Sequence, residues 1–457
     1  MKYFQILILS LFITAAACNK YVDTPLPKNE LVSALVFTDD KTATAAVTGV
    51  YTDMNGFNYQ FANSLINFLP AMSADELYYY ASFANFDVFK NNALLPSSQY
   101  VNAMWSGPYS YIYNANACIG GLQKATGLTP TVKSQLLGES YFLRAFLHFY
   151  LVNLYGDVPL ITSTDYATNT IKPRDPRNTV YDAIVKDLLQ AQTLLQNDYP
   201  TGTRVRPNKA AATAMLARVY LYLGQWDAAE TQASQVIANT RYTLLKDLNK
   251  VFLANSQEAI WQLQPVNVAG GRNTWEGFTA TPTATSTPLY RLDSTLVTAF
   301  ETGDRRKDNW SQTRTVSGKQ VTFPYKYKVR TSTTGVTEYS MVLRFAEQYL
   351  VRAEARAHAN KLTEATADLD SVRSRAGLPN LPTLDQAGLL LAVEQERRVE
   401  LFTEWGHRWL DLKRTGRANT ILSARKPAFW QATDTLFPIP LDATKTNPFL
   451  TQNQGYN

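Results

Sequence analysis

The sequence predicts an all-α fold: a tetratricopeptide-like helical-repeat scaffold with long irregular loop insertions and at most a small β-hairpin. Three observations lead there. Apolar residues recur at three- and four-residue spacing from about residue 101 onward, with Gly or Pro between segments. One small/large pattern occurs twice, over 213–237 and 349–372. Alternation of the kind a strand needs is confined to short Val/Thr/Tyr segments near 314–330.

From the N-terminus, residues 1–17 read as a secretory signal. Lys2 supplies the positive start, Ile6 to Thr14 an apolar stretch too short to span a bilayer, and Ala15-Ala16-Ala17 the small residues before Cys18. The Ala-Ala-Ala-Cys junction resembles a bacterial lipobox, so Cys18 is expected to be lipidated, with residues 18–30 as a tether; ordinary secretion is the alternative. One domain, 31–457, follows. Its first part, about 31–100, opens with a helix around Thr42 to Tyr51 and then becomes irregular and aromatic. The helical-repeat scaffold occupies about 101–263 and 341–420, and a loop insertion about 264–340 separates its halves.

Within the scaffold, Gly138 to Tyr155 is apolar on nearly every face, as expected of a helix surrounded by others. Asn178 can cap the next helix, which carries Tyr181, Ile184, Leu188 and Leu195 inward. Leu216, Ala217 and Tyr220, then Ala229, Ala233 and Val236, form one repeat unit. Tyr349, Ala353, Ala365, Leu369 and Val372 form another around a turn at Asn360-Lys361. The insertion carries Gly270-Gly271 and a Thr/Pro/Ser stretch, and long insertions on rigid scaffolds tend to bind ligands.

Composition excludes some functions. The 457 residues are 45% hydrophobic and 12% aromatic, with 26 Tyr and 8 Trp, but only 18% charged. The net charge of +6 is scattered among acids, so no nucleic acid partner is expected. His148, His358 and His407 stand apart, and no His/Cys pairing suggests a metal; His148 and Cys118 read as core residues. Nucleophile-elbow and phosphate-cradling motifs are absent, and no cofactor is implied. Two carboxylates suffice for glycoside hydrolysis, and Asp75-Glu76 and the series Glu394, Glu396, Glu400, Glu404 are the candidates. The series is interleaved with Arg397, Arg398, Arg408 and Arg414, the pattern of ion pairs between helices, and no catalytic residue is assigned.

Aromatic loop residues remain. Tyr78, Tyr80, Phe83 and Phe86, with Trp275, Phe278 and Tyr290 in the insertion, offer flat faces suited to sugar rings, and Asp75, Asn85, Arg272 and Asn273 could bond hydroxyls. These are the expected ligand-binding residues.

Several blocks resemble a known family. They include Trp105-Ser-Gly-Pro-Tyr-Ser-Tyr-Ile-Tyr-Asn-Ala-Asn and Phe142-Leu-Arg-Ala-Phe-Leu-His-Phe-Tyr-Leu-Val-Asn-Leu-Tyr-Gly-Asp-Val-Pro-Leu. Leu343-Arg-Phe-Ala-Glu-Gln-Tyr-Leu-Val-Arg-Ala-Glu-Ala and Val372-Arg-Ser-Arg-Ala-Gly-Leu follow, then Glu396-Arg-Arg-Val-Glu-Leu-Phe-Thr-Glu-Trp-Gly-His-Arg-Trp-Leu-Asp-Leu. Phe437-Pro-Ile-Pro, Asn447-Pro448 and Gln452-Asn-Gln-Gly-Tyr close the chain. Together they resemble the SusD/RagB-like nutrient-binding lipoproteins, with Gln454 standing where the family has proline. The resemblance implies a non-catalytic lipoprotein of the outer membrane, held to the membrane only by its N-terminal lipid and facing the cell exterior. It would bind an oligosaccharide or polysaccharide and pass it to a SusC-like TonB-dependent transporter. Capture of peptides or another polymer, a secreted helical glycosidase and a pure interaction scaffold are the alternatives. The motifs imply scaffold and carry over no ligand contact.

Overall fold

The computed structural model describes residues 36–266 and 268–456. Cys18, the signal segment and the tether fall outside them. Helix α1 (Asp40–Asn55) covers the stretch expected around Thr42 to Tyr51 and starts at Asp39, whose carboxylate accepts Lys41 N–H at 2.9 Å and Thr42 N–H at 3.0 Å. A π-helical turn (Phe61–Leu65) runs into α2 (Ile66–Ser73), every residue of which is buried. The irregular N-terminal part then gives strand β1 (Leu77–Tyr79) and α3 (Ala84–Lys90).

The scaffold proper is a run of antiparallel helices: α4 (Gln99–Lys124), α5 (Pro130–Tyr155), then, after the short α6 (Tyr166–Asn169), α7 (Arg177–Leu194), α8 (Lys209–Tyr222) and α9 (Trp226–Ile237). Successive long helices pack on one another, α4 on α5, α5 on α7, α7 on α8 and α8 on α9. Close approach depends on small residues. A Cβ on Gly138 would stand 2.8 Å from Leu195 Cγ, so α5 and α7 could not lie this near with alanine there. Asn178 does not cap α7, which begins one residue earlier, after Pro176; Asp157 Oδ1 instead accepts Arg177 N–H at 2.8 Å.

Strand content exceeds the single hairpin expected. Strand β2 (Ala259–Leu263) leads into the insertion, which contains α10 (Trp275–Ala280), β3 (Tyr290–Leu292), α11 (Ser294–Ala299), α12 (Arg305–Trp310), β4 (Ser311–Val316) and β5 (Lys319–Pro324). Strand β6 (Ser340–Arg344) ends it. The β4–β5 pair is the expected hairpin, turning at Ser317-Gly318 with both φ angles positive. The other two ribbons are antiparallel and long-range, β1 with β3 and β2 with β6. Residues 264–339 thus leave and rejoin the scaffold at one buried ribbon.

The array resumes with α13 (Phe345–His358), α14 (Leu362–Ala376) and α15 (Gln386–Glu400); α13 packs against both α9 and α14. Both repeats expected from sequence are therefore helix pairs, α8/α9 and α13/α14. The short helices α16 (His407–Arg414), α17 (Ala418–Arg425) and α18 (Leu441–Thr446) close the chain. Aromatic rings join the layers: Phe146 of α5 meets Trp261 of β2 and Trp405 at 5.1 Å each, edge to face. No helix among the described residues is long and apolar enough to cross a membrane.

Candidate functional site

The two aromatic segments singled out in the sequence are neighbours in space. Pairing of β1 with β3 sets Tyr78 opposite Arg291 and Tyr79 opposite Tyr290, and Tyr80 N–H donates to Leu289 O at 2.8 Å. On this ribbon Tyr79 touches Phe83 (5.7 Å), Phe86 (5.2 Å) and Tyr290 (5.4 Å). Phe86 in turn meets Tyr100 at 5.1 Å and Tyr59 at 6.0 Å. Asp87 fastens the 80–83 loop, its Oδ2 accepting from Ser82 Oγ at 2.8 Å and Phe83 N–H at 3.1 Å.

A turn over residues 56–60 extends the ring cluster. Tyr59 adopts a left-handed backbone (φ 55°), costly for a bulky residue, and side chains hold it there. Gln60 Oε1 accepts Phe57 N–H at 2.8 Å, Asn63 Nδ2 donates to Phe57 O at 2.8 Å, and Ser64 Oγ accepts Tyr59 N–H at 3.1 Å while donating to Asn58 Oδ1 at 2.9 Å. The wide π turn behind it fits against α4 because Gly107 lacks a side chain: a Cβ there would lie 3.3 Å from Phe61 Cβ. Phe57 is 68% exposed and edges an open recess of about 470 Å³, with Asp53, Gln60, Ser106 and Ser110 around it. Thr279 of α10 donates to Asn58 Oδ1 at 3.4 Å and Trp275 Nε1 to Asn55 O at 3.3 Å, which sets α10 against the turn.

Of the residues expected from sequence, Phe83 is exposed and Tyr78, Tyr80, Asn85, Trp275 and Phe278 are half-buried. The other five are buried and correct the expectation. Asp75 is enclosed by Arg408 and Arg398, each at 2.8 Å. Phe86 and Tyr290 form the floor of the ring cluster. Arg272 lies over the Trp275 ring at 3.5 Å and donates to Val266 O at 2.5 Å, and Asn273 Oδ1 accepts from Thr337 N–H (2.6 Å) and Glu338 N–H (3.0 Å). Tyr78 turns its hydroxyl to the Asp293 carboxylate, so it braces the ribbon. Tyr79, one of the Tyr78-Tyr79-Tyr80 run, joins the cluster, together with Tyr59 and Tyr100, which residue chemistry alone did not single out, and Phe57 and Gln60 lie on the adjoining turn. Burial raises the Tyr59 and Tyr100 phenols above their ordinary pKa, keeping both as neutral hydroxyls.

The candidate carboxylates are structural. Burial would raise Asp75, but Arg408 and Arg398 outweigh it and hold the group below the usual carboxylate range. Glu76 has no salt-bridge partner among the described residues; burial and the neighbouring Asp75 push its pKa up to about 8. Glu400 accepts from Arg344 at 2.5 Å and Arg306 at 2.9 Å and also pairs with Arg375; Glu396 pairs with Arg306 at 2.5 Å and Glu404 with Arg344 at 2.7 Å. These three acids are buried, whereas an acid/base pair must reach substrate. Glu394 is half-buried and bound to Arg408 and Arg417, both at 3.1 Å. No group of His, Cys, Asp and Glu among the described residues could hold a metal ion.

A family model described as starch-binding and associating with the outer membrane matches residues 34–221, and one described as the SusD family matches 273–456. The chain belongs to the SusD/RagB-like family of outer-membrane nutrient-binding proteins. It is 24% identical to the SusD-like protein P25 of Formosa agariphila, over 78% of this chain and 79% of that one. A solved laminarin-binding SusD-like protein superposes with a TM-score of 0.79 at 24% identity, covering 92% of this chain and 100% of that one. A SusD superfamily protein from Bacteroides vulgatus gives a TM-score of 0.80 at 19% identity, covering 92% and 100%. At such identities the superpositions establish the fold.

Members of the SusD family are non-catalytic, surface-exposed glycan-binding proteins of the outer membrane that act with SusC-like transporters. The blocks of SusD resemblance lie in the scaffold. Arg144 grips Asp187 with two bonds of 2.7 and 2.8 Å, and His148, pushed down to about 4 by burial, accepts Ile161 N–H at 3.3 Å. Asn453 ties the C-terminus to Tyr155 O and Phe437 O at 2.9 and 2.7 Å. Gln454 is exposed in the adjoining turn, so the missing proline disturbs no packing.

Proposed function

We propose that this chain captures a glycan on the ring surface formed by Phe57, Tyr59, Tyr79, Phe83 and Tyr100, with Tyr80, Asn85, Trp275 and Phe278 at its margins, and delivers it to a SusC-like TonB-dependent transporter. The observation that carries the reading is the exposed Phe57, set by a strained and heavily bonded turn beside a recess lined with hydroxyl, amide and carboxylate groups. Flat rings cover the apolar faces of sugars while fixed polar groups select hydroxyls. The likeness to a laminarin-binding structure makes β-glucan the first ligand to try. Lipidation of Cys18 would hold the protein at the membrane.

The test is binding of the purified chain to laminarin, starch and other polysaccharides alongside a peptide panel. Saturable binding to at least one glycan is expected. Peptide binding with no glycan affinity would overturn the reading, as would release of sugar products, which would restore the glycosidase alternative.

A further inference from the structure

A second aromatic groove lies on another face of α4. Trp105, Tyr109 and Tyr113 recur every four residues and so follow one another along one side of the helix, whereas Ser106 and Ser110 of the recess beside Phe57 lie on a different side. The groove encloses about 350 Å³. Trp105 and Tyr109, 5.0 Å apart, form its floor, and Tyr109 is fixed by its hydroxyl, which donates to Pro159 O at 2.9 Å. Tyr113 and Tyr166 also line it and are 52% and 80% exposed. The loop that presents Tyr166 is anchored by Asn116 Nδ2 to Ile161 O (3.1 Å) and Arg144 Nη1 to Thr162 O (3.3 Å).

Polar groups at the rim are amide and hydroxyl. Asn169 donates to Ser163 O at 2.9 Å and keeps its Oδ1 without a partner among the described residues; Thr170 and Thr446 spend their donors on backbone carbonyls and retain lone pairs. None of the residues lining the groove is charged. An anionic ligand would call for a cation. Rigid phenol and indole rings with uncharged acceptors around them match a neutral saccharide.

We propose that this groove is a second glycan subsite that holds a neutral stretch of the same polymer bound beside Phe57. The proposal rests on the glycan reading of the first surface. Two weak contacts on one polymer act in concert, because the second engagement is intramolecular once the first has formed.

Calorimetry with laminarihexaose, maltohexaose and polymeric laminarin tests it, comparing wild type with Tyr113→Ala/Tyr166→Ala and with Thr446→Glu, which sets a charge in the groove. For a hexasaccharide that binds, stoichiometry should fall from about two per chain to about one in either variant, and affinity for the polymer by about 100-fold. Unchanged stoichiometry and polymer affinity in both variants, with Phe57→Ala still weakening binding, overturns the subsite and leaves the first surface standing. Variants that bind glycan normally but lose copurification of the transporter also overturn it, in favour of a docking face. A wild type that binds none of these glycans removes both readings.

Discussion

Phe57 illustrates how one side chain separates binding from stability. Its ring is mostly in water, so Phe57→Ala should leave the melting temperature unchanged while weakening glycan binding about tenfold, read by calorimetry. Glu76 is the opposite case, buried and facing no ligand. Its folded pKa of about 8 exceeds the ordinary 4.5, so its contribution to stability is present below pH 4.5 and is lost as pH rises through 8. Glu76→Gln should therefore gain on wild type between pH 5 and pH 8, by about 3 °C or more in Tm. At this scale the sequence was partly legible. Residue chemistry pointed to aromatics around 78–86 and 275–290, but alternation along β1 decides which tyrosine joins the cluster. Tyr79 turns inward to Phe83 and Phe86 while Tyr78 turns to Asp293, and no single-residue property distinguishes them.

Among elements, the π turn and the buried ion cluster carry the most consequence. Asn63 holds Phe57 O and accepts Gln60 N–H at 3.1 Å, without belonging to the proposed ring surface. Asn63→Ala should cost about 1–3 kcal/mol and also lower glycan affinity, because the turn that presents Phe57 and Tyr59 would relax. Thermal melts and calorimetry on the same variant would show whether the two losses coincide. In the cluster, Arg344 of β6 joins Glu400 and Glu404 with every charge out of water. Arg344→Met leaves those carboxylates short of a cation and should cost about 3–5 kcal/mol in denaturant melts, with glycan binding per folded molecule retained. The Glu/Arg alternation made this cluster legible, and 3.6-residue periodicity made the long helices so. Ribbons β1–β3 and β2–β6 were not, since strands of three to five residues pair across more than 75 positions and leave no local pattern.

For the whole molecule, the helical array supplies a stiff frame, and the ring surface sits where the N-terminal segment and the insertion meet. Cys18→Ala should move the protein from the membrane fraction to the soluble fraction with its glycan affinity intact, and copurification with the transporter from membranes should weaken accordingly. Residues 264–339 begin and end at the β2–β6 ribbon, whose strands are buried along their whole length. Between those ends Arg306, bonded to Glu396 and Glu400, and β3, paired with β1, pin the segment to the frame, so variation in length or chemistry is open only to its exposed stretches, such as 283–287. Ligand preference in such a protein can drift through those exposed stretches, without the helices beneath having to be solved again.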